Sequence, residues 1–248
     1  MAEHPRRQVR TAVVWEVLSE ALTARQAASG HETLDVVDAG GGTGGFAVPL
    51  AEQGHRVTVV DPSPDALAAL TRRAAEKGVG GRVTAVQGDA AGMADLLGVA
   101  GADVVLCHGV LEVVDDPAEA LRGVVAVLRP DGVASVLVAQ RSAAVLARAV
   151  AGHVDDARRA LTDPDGRWGD GDPLPRRFDE KPLLALFEGV GLRVHALHGV
   201  RVFADLVPGA IADEPAGAQA LRDLEAAATE DPTFRAVAAQ LHVLASPA

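Results

Sequence analysis

Short apolar runs alternate with amphipathic segments over residues 34–139. The run at 34–38 ends at a glycine cluster, which is typical of a buried strand that enters a tight turn. Similar runs are predicted as strands at 56–60, 83–87, 103–107 and 133–139. The amphipathic segments predict helices at 46–53, 64–77 and 117–128, the last of them ended by a turn at 129–132. Because strands and helices alternate, we predict an α/β fold with a doubly wound, mostly parallel sheet and helices on both faces.

The alternation is interrupted after residue 140. Residues 142–153 are predicted to be helical, and residues 162–175 are dense in Asp, Gly and Pro. Long irregular segments inside a compact domain are usually lids or binding loops. We therefore interpret residues 141–180 as a lid or substrate insertion.

The remaining segments complete the predicted sheet. Helices are predicted at 181–190 and 217–230, and strands at 192–197 and 240–245. The strands then number seven, as in a Rossmann-like sheet. Because 248 residues are within reach of one large α/β domain, we predict a single domain over 1–248, with an N-terminal helical arm in residues 1–30.

The composition is that of a globular protein, with 48% hydrophobic and 23% charged residues. The single cysteine, Cys107, excludes an intrachain disulfide, and the Cys and His residues lack zinc-site spacing, so no metal is expected. No apolar stretch reaches the roughly 18 residues of a membrane span, and the basic start lacks the apolar region of a signal peptide. We therefore expect a cytoplasmic protein that does not enter membranes.

Charge and aromatic content bear on nucleic-acid binding. The formal net charge is -11, and aromatic residues make up 3% of the chain, with no Tyr. Both features argue against a general nucleic-acid binder with a base-stacking surface. The insertion nevertheless mixes arginines with Asp-rich turns, which predicts either a solvated surface or a contact for an anionic partner.

A glycine-rich turn carries the first chemical signal. Residues 40–45 follow a predicted strand and open a helix, so bare backbone can approach a ligand there. Asp61 lies about 20 residues further on, at the end of the second strand, where a carboxylate can accept both hydroxyls of a ribose. The pair predicts a nucleotide-like ligand such as NAD or S-adenosylmethionine (SAM). The alternative is a purely structural turn, with Asp61 as a helix cap.

Three further segments distinguish between these ligands. Asp38 precedes the glycines, residues 88–90 (Gly-Asp-Ala) follow the third strand, and residues 107–112 follow the fourth. Together they resemble the class I SAM-dependent methyltransferases, in which such segments share one edge of the sheet. The resemblance implies SAM as the cofactor and S-adenosylhomocysteine as its product.

The resemblance can be narrowed to one family. Residues 9–15, 38–42, 108–117 and 199–205 look like those of the bacterial tRNA 5-carboxymethoxyuridine methyltransferases, which methylate the carboxylate of a modified wobble uridine. By matching motif, this resemblance implies cofactor contacts at Arg10, Gly40, Gly41, Asp61, Ala90, Ala91 and His108. The predicted cofactor site also takes in neighbours from the same turns, namely Asp38, Gly42, Pro62 and Asp89.

The insertion differs from that family in charge. Where family members carry a lysine-rich run, this chain has Arg158 and Arg159, followed by several aspartates. Phosphate contacts supply much of the affinity for nucleic acid, so this change is expected to weaken tRNA binding. A small-molecule acceptor therefore stays open as an alternative to tRNA.

The predicted chemistry makes few demands on the protein. A carboxylate is already nucleophilic at neutral pH, so ester formation needs alignment but no general base. Arg10 and Arg201 are our candidates for orienting the acceptor's carboxylate, and a surface salt bridge is the alternative for Arg201. His108 is predicted to position the cofactor, or to act as a base for a hydroxyl or amine acceptor. Trp168 is expected either to close over the substrate or to anchor the loop.

The sequence thus predicts a SAM-dependent methyltransferase that acts on a carboxylate of modified tRNA. A methyltransferase with a small-molecule acceptor is the first alternative. A SAM-binding protein without catalytic activity is the second.

Overall fold

The computed structural model describes residues 5–248, with side chains described from residue 9 onward. Within this range seven strands form one sheet. They are β1 (Asp35–Ala39), β2 (Arg56–Asp61), β3 (Val83–Gln87), β4 (Ala102–His108), β5 (Leu128–Ala139), β6 (Leu192–Val200) and β7 (Gln240–Pro247). Their spatial order is β3-β2-β1-β4-β5-β7-β6, and β1 runs parallel to β2 and β4, as β2 does to β3. The predicted α/β fold with a seven-stranded, mostly parallel sheet is confirmed.

Helices connect the strands and extend the chain at its start. They are α1 (Pro5–Ser29), α2 (Ala47–Glu52), α3 (Pro64–Glu76), α4 (Met93–Leu97), α5 (Pro117–Val127), α6 (Arg141–Val150), α7 (Val154–Thr162), α8 (Glu180–Gly189), α9 (Gly209–Asp213), α10 (Pro215–Ala228) and α11 (Pro232–Arg235). Helix α1 forms the predicted N-terminal arm. No helix in the described part of the chain is both long enough and apolar enough to cross a membrane.

Capping residues fix where the helices of the βα repeats begin. Ser63 caps α3 by accepting a hydrogen bond from the Ala66 N–H at 3.2 Å, and Asp116 caps α5 by accepting from the Ala118 N–H at 2.7 Å. In both helices the next residue is a proline, which is well suited to the first helical position. These local signals explain why both predicted helix starts agree with the structure.

The predicted turn at 129–132 is wrong, because these residues belong to β5. The Arg129 guanidinium contacts Asp103 at 2.5 Å and Asp35 at 3.1 Å. Asp35 and Asp103 lie far from Arg129 in sequence, and their ion pairs with Arg129 hold the segment in an extended conformation. They outweigh the local preference of the Pro-Asp-Gly sequence for a turn.

The insertion contains a second helix that the sequence pattern did not predict. Helix α6 ends before the predicted 153, because Gly152 adopts a φ of +83° that breaks the helix. Helix α7 then begins at Val154, with Asp155 and Asp156 in its first turn, where acidic side chains interact favourably with the helix dipole. The Asp- and Gly-rich segment after α7 is irregular, as predicted.

The described chain divides into two compact units. The first unit comprises the residues up to Glu20 together with Leu137–Leu183 and Ala196–His242, and so contains the insertion. The second unit comprises Ala21–Val136, Leu184–His195 and Val243–Ala248, and contains β1 to β4. That residues 1–248 act as a single domain stays a prediction.

A buried ionic network ties together the amino ends of strands in the second unit. Asp103, near the start of β4, binds the Arg25 Nη2 at 2.9 Å and accepts the Asp35 N–H at 2.9 Å. The side chains of Arg25 and Asp103 are 5% and 3% exposed. Arg129 also pairs with Asp103, and Asp131 pairs with Arg25. The network therefore joins α1, β1, β4 and β5 through one carboxylate.

The pKa of the Asp103 carboxyl lies below its ordinary value. Burial acts to raise this pKa, but hydrogen bonds from Arg129, from the Asp35 backbone and from Arg25 outweigh it. A lowered pKa means that the folded protein prefers the charged carboxylate. The resulting stabilisation is fully present above the unfolded pKa, about 3.9, and is lost as the pH falls through the lower folded value.

We expect Asp103→Asn to lower the free energy of unfolding at pH 7 by about 3 kcal/mol, because it removes the buried carboxylate that pairs with the Arg25 guanidinium and leaves the exposed carboxylate of Asp131 as its charged partner. Urea denaturation measures this loss. Glu119→Gln is the control, because its pair with Arg122 is exposed and 3.8 Å long, and it should leave stability nearly unchanged. If both substitutions lowered the free energy of unfolding equally, the buried network would contribute no more to stability than an exposed ion pair does.

Candidate functional site

The predicted cofactor residues of the second unit lie at one edge of the sheet. Because β1 runs parallel to β2 and β4, and β2 to β3, the carboxyl ends of these strands point the same way, and Ala39 at the end of β1 pairs with Val60 and Cys107. The glycine turn follows β1, Asp61 ends β2, and His108 ends β4. The structure thus brings these predicted residues to the edge where open α/β sheets bind ligands.

The glycine turn leaves open space at only part of its length. A Cβ added to Gly40, whose φ is +69°, would lie 2.5 Å from the Val110 Cγ2, and one added to Gly41 would overlap the Asp38 carboxylate. Gly42 differs, because its Cβ would have no nearer atom than the Asp61 Oδ2 at 3.8 Å. The chain's own packing therefore requires Gly40 and Gly41. Gly42 is the glycine that borders open space.

Asp61 supports the turn through both of its oxygens. Its Oδ2 accepts the Gly42 N–H and its Oδ1 accepts the Ser63 N–H, each at 2.9 Å. Pro62 follows it at an exposed position. Each carboxylate oxygen has a second lone pair, so these bonds leave Asp61 able to accept further hydrogen bonds.

Asp38 is buried beside the same turn. Its side chain is 3% exposed, and its Oδ2 has no hydrogen-bond partner among the described residues. Burial, and then the negative charge of Asp61, raise the pKa of Asp38 to about 7. A buried carboxylate without a partner is costly, so a cationic or hydrogen-bonding ligand at this turn would relieve an existing penalty.

The residues after β3 complete this edge. Asp89 makes a local turn by accepting the Gly92 N–H at 2.8 Å. Ala90 is buried, and its carbonyl oxygen lies so close to Gly123 of α5 that a Cβ there would overlap it. Ala91 is exposed. The packing of Ala90 against α5 therefore fixes the backbone of this predicted cofactor segment.

His108 is held in one orientation. Its Nε2 lies 2.9 Å from the Ser135 Oγ, and its ring meets the Phe46 ring edge-on with the centroids 4.8 Å apart. Burial lowers the pKa of His108 to about 4. The imidazole is consequently neutral at physiological pH and a weak base. This favours the predicted positioning role over proton transfer.

In the first unit, Arg10 and Arg201 meet at a carboxylate that the sequence analysis missed. Asp205 binds the Arg10 Nη2 at 2.9 Å through one oxygen and the Arg201 Nη2 through the other. Arg201 also donates to the Gln240 Oε1 at 3.4 Å. Asp205 stands in a segment already singled out, four residues after Arg201. The four-residue spacing between Arg201 and Asp205 was the sequence signal from which their ion pair could have been predicted.

The loop that carries Arg201 is fixed by a buried acid. Glu225 is 1% exposed and accepts the N–H groups of Val202, Phe203 and Ala204 at 2.7–2.9 Å. Arg201 itself has a φ of +60°, a conformation that residues other than glycine seldom adopt. The orientation of Arg201 therefore rests on backbone interactions that do not involve Asp205.

The insertion is braced by its own arginines. Arg177 forms a bidentate pair with Asp172 at 2.6 and 2.8 Å, and Asp172 also accepts the Trp168 N–H at 3.0 Å. Burial acts to raise the pKa of Asp172, but these hydrogen bonds lower it overall. The Arg148 guanidinium stacks 3.6 Å above the Trp168 ring. These contacts favour the loop-anchor interpretation of Trp168.

Arg158 and Arg159 lie on the exposed surface of α7. Their side chains are 69% and 59% exposed, and they pair with Asp155 and Asp156 at 3.8 and 3.6 Å. Such long surface pairs are weak, so both guanidinium groups stay accessible to another anion. Across the described residues, no cluster of His, Cys, Asp or Glu side chains could hold a metal ion.

Comparisons with known proteins agree with this geometry. Residues 37–134 match the family model described as a methyltransferase domain. The chain is 33% identical over 198 residues to the tRNA 5-carboxymethoxyuridine methyltransferase of Escherichia coli (strain K12), covering 80% of this chain and 73% of that protein.

Solved structures show the same fold. The 1,6-didemethyltoxoflavin-N1-methyltransferase of Burkholderia thailandensis, with bound S-adenosylhomocysteine, is 25% identical with a TM-score of 0.55, covering 92% of this chain and 76% of that one. The magnesium protoporphyrin IX methyltransferase of Synechocystis PCC 6803 is 16% identical with a TM-score of 0.60, covering 98% and 83%. The chain belongs to the tRNA 5-carboxymethoxyuridine methyltransferase family and is a SAM-dependent methyltransferase.

Proposed function

We propose that this enzyme methylates a carboxylate on a modified wobble uridine of tRNA. The observation that carries the proposal is the convergence of Arg10 and Arg201 on one carboxylate in the first unit. Two guanidinium groups that already share a carboxylate are suited to hold the carboxylate of an acceptor. The E. coli relative, named for 5-carboxymethoxyuridine in tRNA, supports the same acceptor.

The glycine turn of the second unit fits SAM. Open space beside Gly42 gives access to Asp61, whose remaining lone pairs can accept the ribose hydroxyls. The unpartnered oxygen of Asp38 favours a ligand that brings a positive charge or a donor. His108, Pro62 and the 89–91 segment complete the proposed contacts within this unit. When bound, SAM supplies a methyl group activated by a sulfonium.

The proposed reaction requires no acid–base catalysis by side chains of the enzyme. The acceptor carboxylate forms the new bond with its own lone pair, and no proton is transferred. Arg10 and Arg201 would orient the carboxylate, and a neutral His108 would leave its charge intact. Family membership makes the non-catalytic alternative the weaker one.

A small-molecule acceptor is the second candidate. Two of the insertion's arginines are already engaged: Arg177 with Asp172, and Arg141 with Asp179 at 3.1 Å and with the carbonyls of Asp163 and Pro164. These two guanidinium groups are therefore not available to tRNA phosphates. With a net charge of -11, this favours a small carboxylate over a polyanion.

Asp61→Ala should weaken SAM binding tenfold or more, since a hydrogen bond to a charged group contributes about 1.5–3 kcal/mol. Calorimetry gives the dissociation constant. Asp65→Ala is the matched control, because Asp65 is exposed in the first turn of α3. Gly40→Val should also abolish binding, but through the clash with Val110. A dissociation constant unchanged in Asp61→Ala would remove Asp61 from the cofactor site.

With saturating SAM, kcat should be nearly flat between pH 6 and 9. The lowered pKa of His108, about 4, keeps this imidazole neutral over the whole range, and a carboxylate acceptor needs no base. His108→Asn should therefore keep the flat profile. A rate that climbs through one pKa and collapses in His108→Asn, with SAM affinity intact, would point to a hydroxyl or amine acceptor instead.

Replacing Arg158 and Arg159 together by Ala should lower tRNA affinity and flatten its salt dependence by up to about 2 log units per log unit of salt. Filter binding at several salt concentrations measures both. The adjacent pair Arg72 and Arg73 on α3 offers a control of the same charge, and its replacement should change neither. If the wild-type protein shows no salt-dependent tRNA binding at low ionic strength, the small-molecule acceptor replaces tRNA.

A further inference from the structure

A carboxylate of the protein already occupies the place proposed for the acceptor's carboxylate. Asp205 offers one oxygen to Arg10 and the other to Arg201, as a bound carboxylate would. The side chain of Asp205 is 28% exposed, so it can rotate into solvent without being buried elsewhere. A cavity of about 130 Å³ opens beside this group, lined by Arg10 and Asp205 and by apolar side chains such as Val9, Val207 and Leu221.

The loop that carries Arg201 is held by contacts that do not involve Asp205. The Arg201 backbone is held by a neighbouring loop whose three N–H groups bind Glu225, and its guanidinium has a second partner in Gln240. Arg10 projects from α1 with its side chain 53% exposed. Arg10, Arg201 and Asp205 together carry a net charge of +1, and displacement of Asp205 raises the charge that an acceptor carboxylate meets to +2.

We propose that Asp205 is a built-in competitor of the acceptor's carboxylate and a determinant of acceptor specificity. The inference rests on the proposed function. An anionic acceptor forms ion pairs with Arg10 and Arg201 only by displacing Asp205. A neutral acceptor has no charge with which to displace it. Selectivity for carboxylates thus arises from a repulsive group as well as from two attractive ones.

The same competition favours release of the product. Methyl transfer forms a bond between a carboxylate oxygen and the methyl carbon and breaks the bond between that carbon and the sulfonium sulfur. The acceptor's negative charge is lost in this step, and the sulfur keeps the electron pair. A neutral ester pairs poorly with guanidinium groups, so Asp205 regains them and the ester leaves.

The test compares binding of two probes, the nucleoside 5-carboxymethoxyuridine and its neutral methyl ester, in the presence of S-adenosylhomocysteine. NMR titration of the full chain reads the weak affinities expected for nucleosides. Asp205→Asn should bind the acid three- to tenfold more tightly than wild type and bind the ester within twofold of it. Asp205→Ser should likewise bind the acid more tightly and the ester within twofold of wild type, which shows that the gain does not depend on one replacement side chain.

Asp223→Asn is the matched control, because it removes one acidic charge from α10 of the same unit, where Asp223 is exposed and accepts a hydrogen bond from Gln219. It should change neither affinity. Equal or weaker binding of the acid by both Asp205 variants would overturn the proposal and make Asp205 a positioning residue. Absence of acid binding by any of the proteins would overturn it as well.

The assay separates this inference from the proposed function. If wild type forms the methyl ester on tRNA but the Asp205 variants gain no affinity for the acid, only the competitor role fails. If the variants gain affinity but no ester forms on tRNA, the acceptor assignment fails and the anion site guarded by Asp205 remains.

Discussion

Parallel pairing of β1 with both β2 and β4 is the constraint on which the second unit depends. In this register all carboxyl ends emerge at one edge, and all amino ends at the other. The amino ends are held by the buried network around Asp103, and the carboxyl ends carry Asp38, Asp61 and His108. The buried ionic network and the predicted ligand-binding residues therefore lie at opposite ends of the same strands.

The proposed carboxylate acceptor would require few catalytic groups. An acceptor that is already an anion requires no base, and His108 at the sheet edge is neutral because burial lowers its pKa to about 4. What an anion does require is fixed positive charge that a neutral product cannot keep. In our proposal Arg10 and Arg201 supply that charge, and Asp205, which pairs with both, competes for it.

Much of the fold could be predicted because its signals are local. The Ser63-Pro64 and Asp116-Pro117 pairs mark helix starts, and glycines after short apolar runs mark strand ends. The turn predicted at 129–132 was wrong because the ion pairs of Arg129 come from residues far away in sequence. In the same way, the sequence could predict that position 40 must be a glycine. It could not predict that the side chain of Val110 fills the space that a Cβ would need there.

The pairing of Asp205 with Arg10 could not be predicted for the same reason. Its partner Arg10 lies on the first helix, and no local pattern joins the two residues. SAM contacts at the glycine turn stay a prediction that follows from spacing and resemblance. The geometry adds to it the open space at Gly42 and the unpartnered oxygen of Asp38.

The most direct measurement of the central claim is transfer of labelled methyl from SAM to a mixture of total tRNA and metabolites, in which some tRNA carries 5-carboxymethoxyuridine. Mild alkali hydrolyses methyl esters but leaves methyl ethers and N-methyl groups intact. Methylation of the wobble carboxylate predicts label in the tRNA fraction that alkali releases as methanol. Label confined to the metabolite fraction, or alkali-stable label on tRNA, would contradict it.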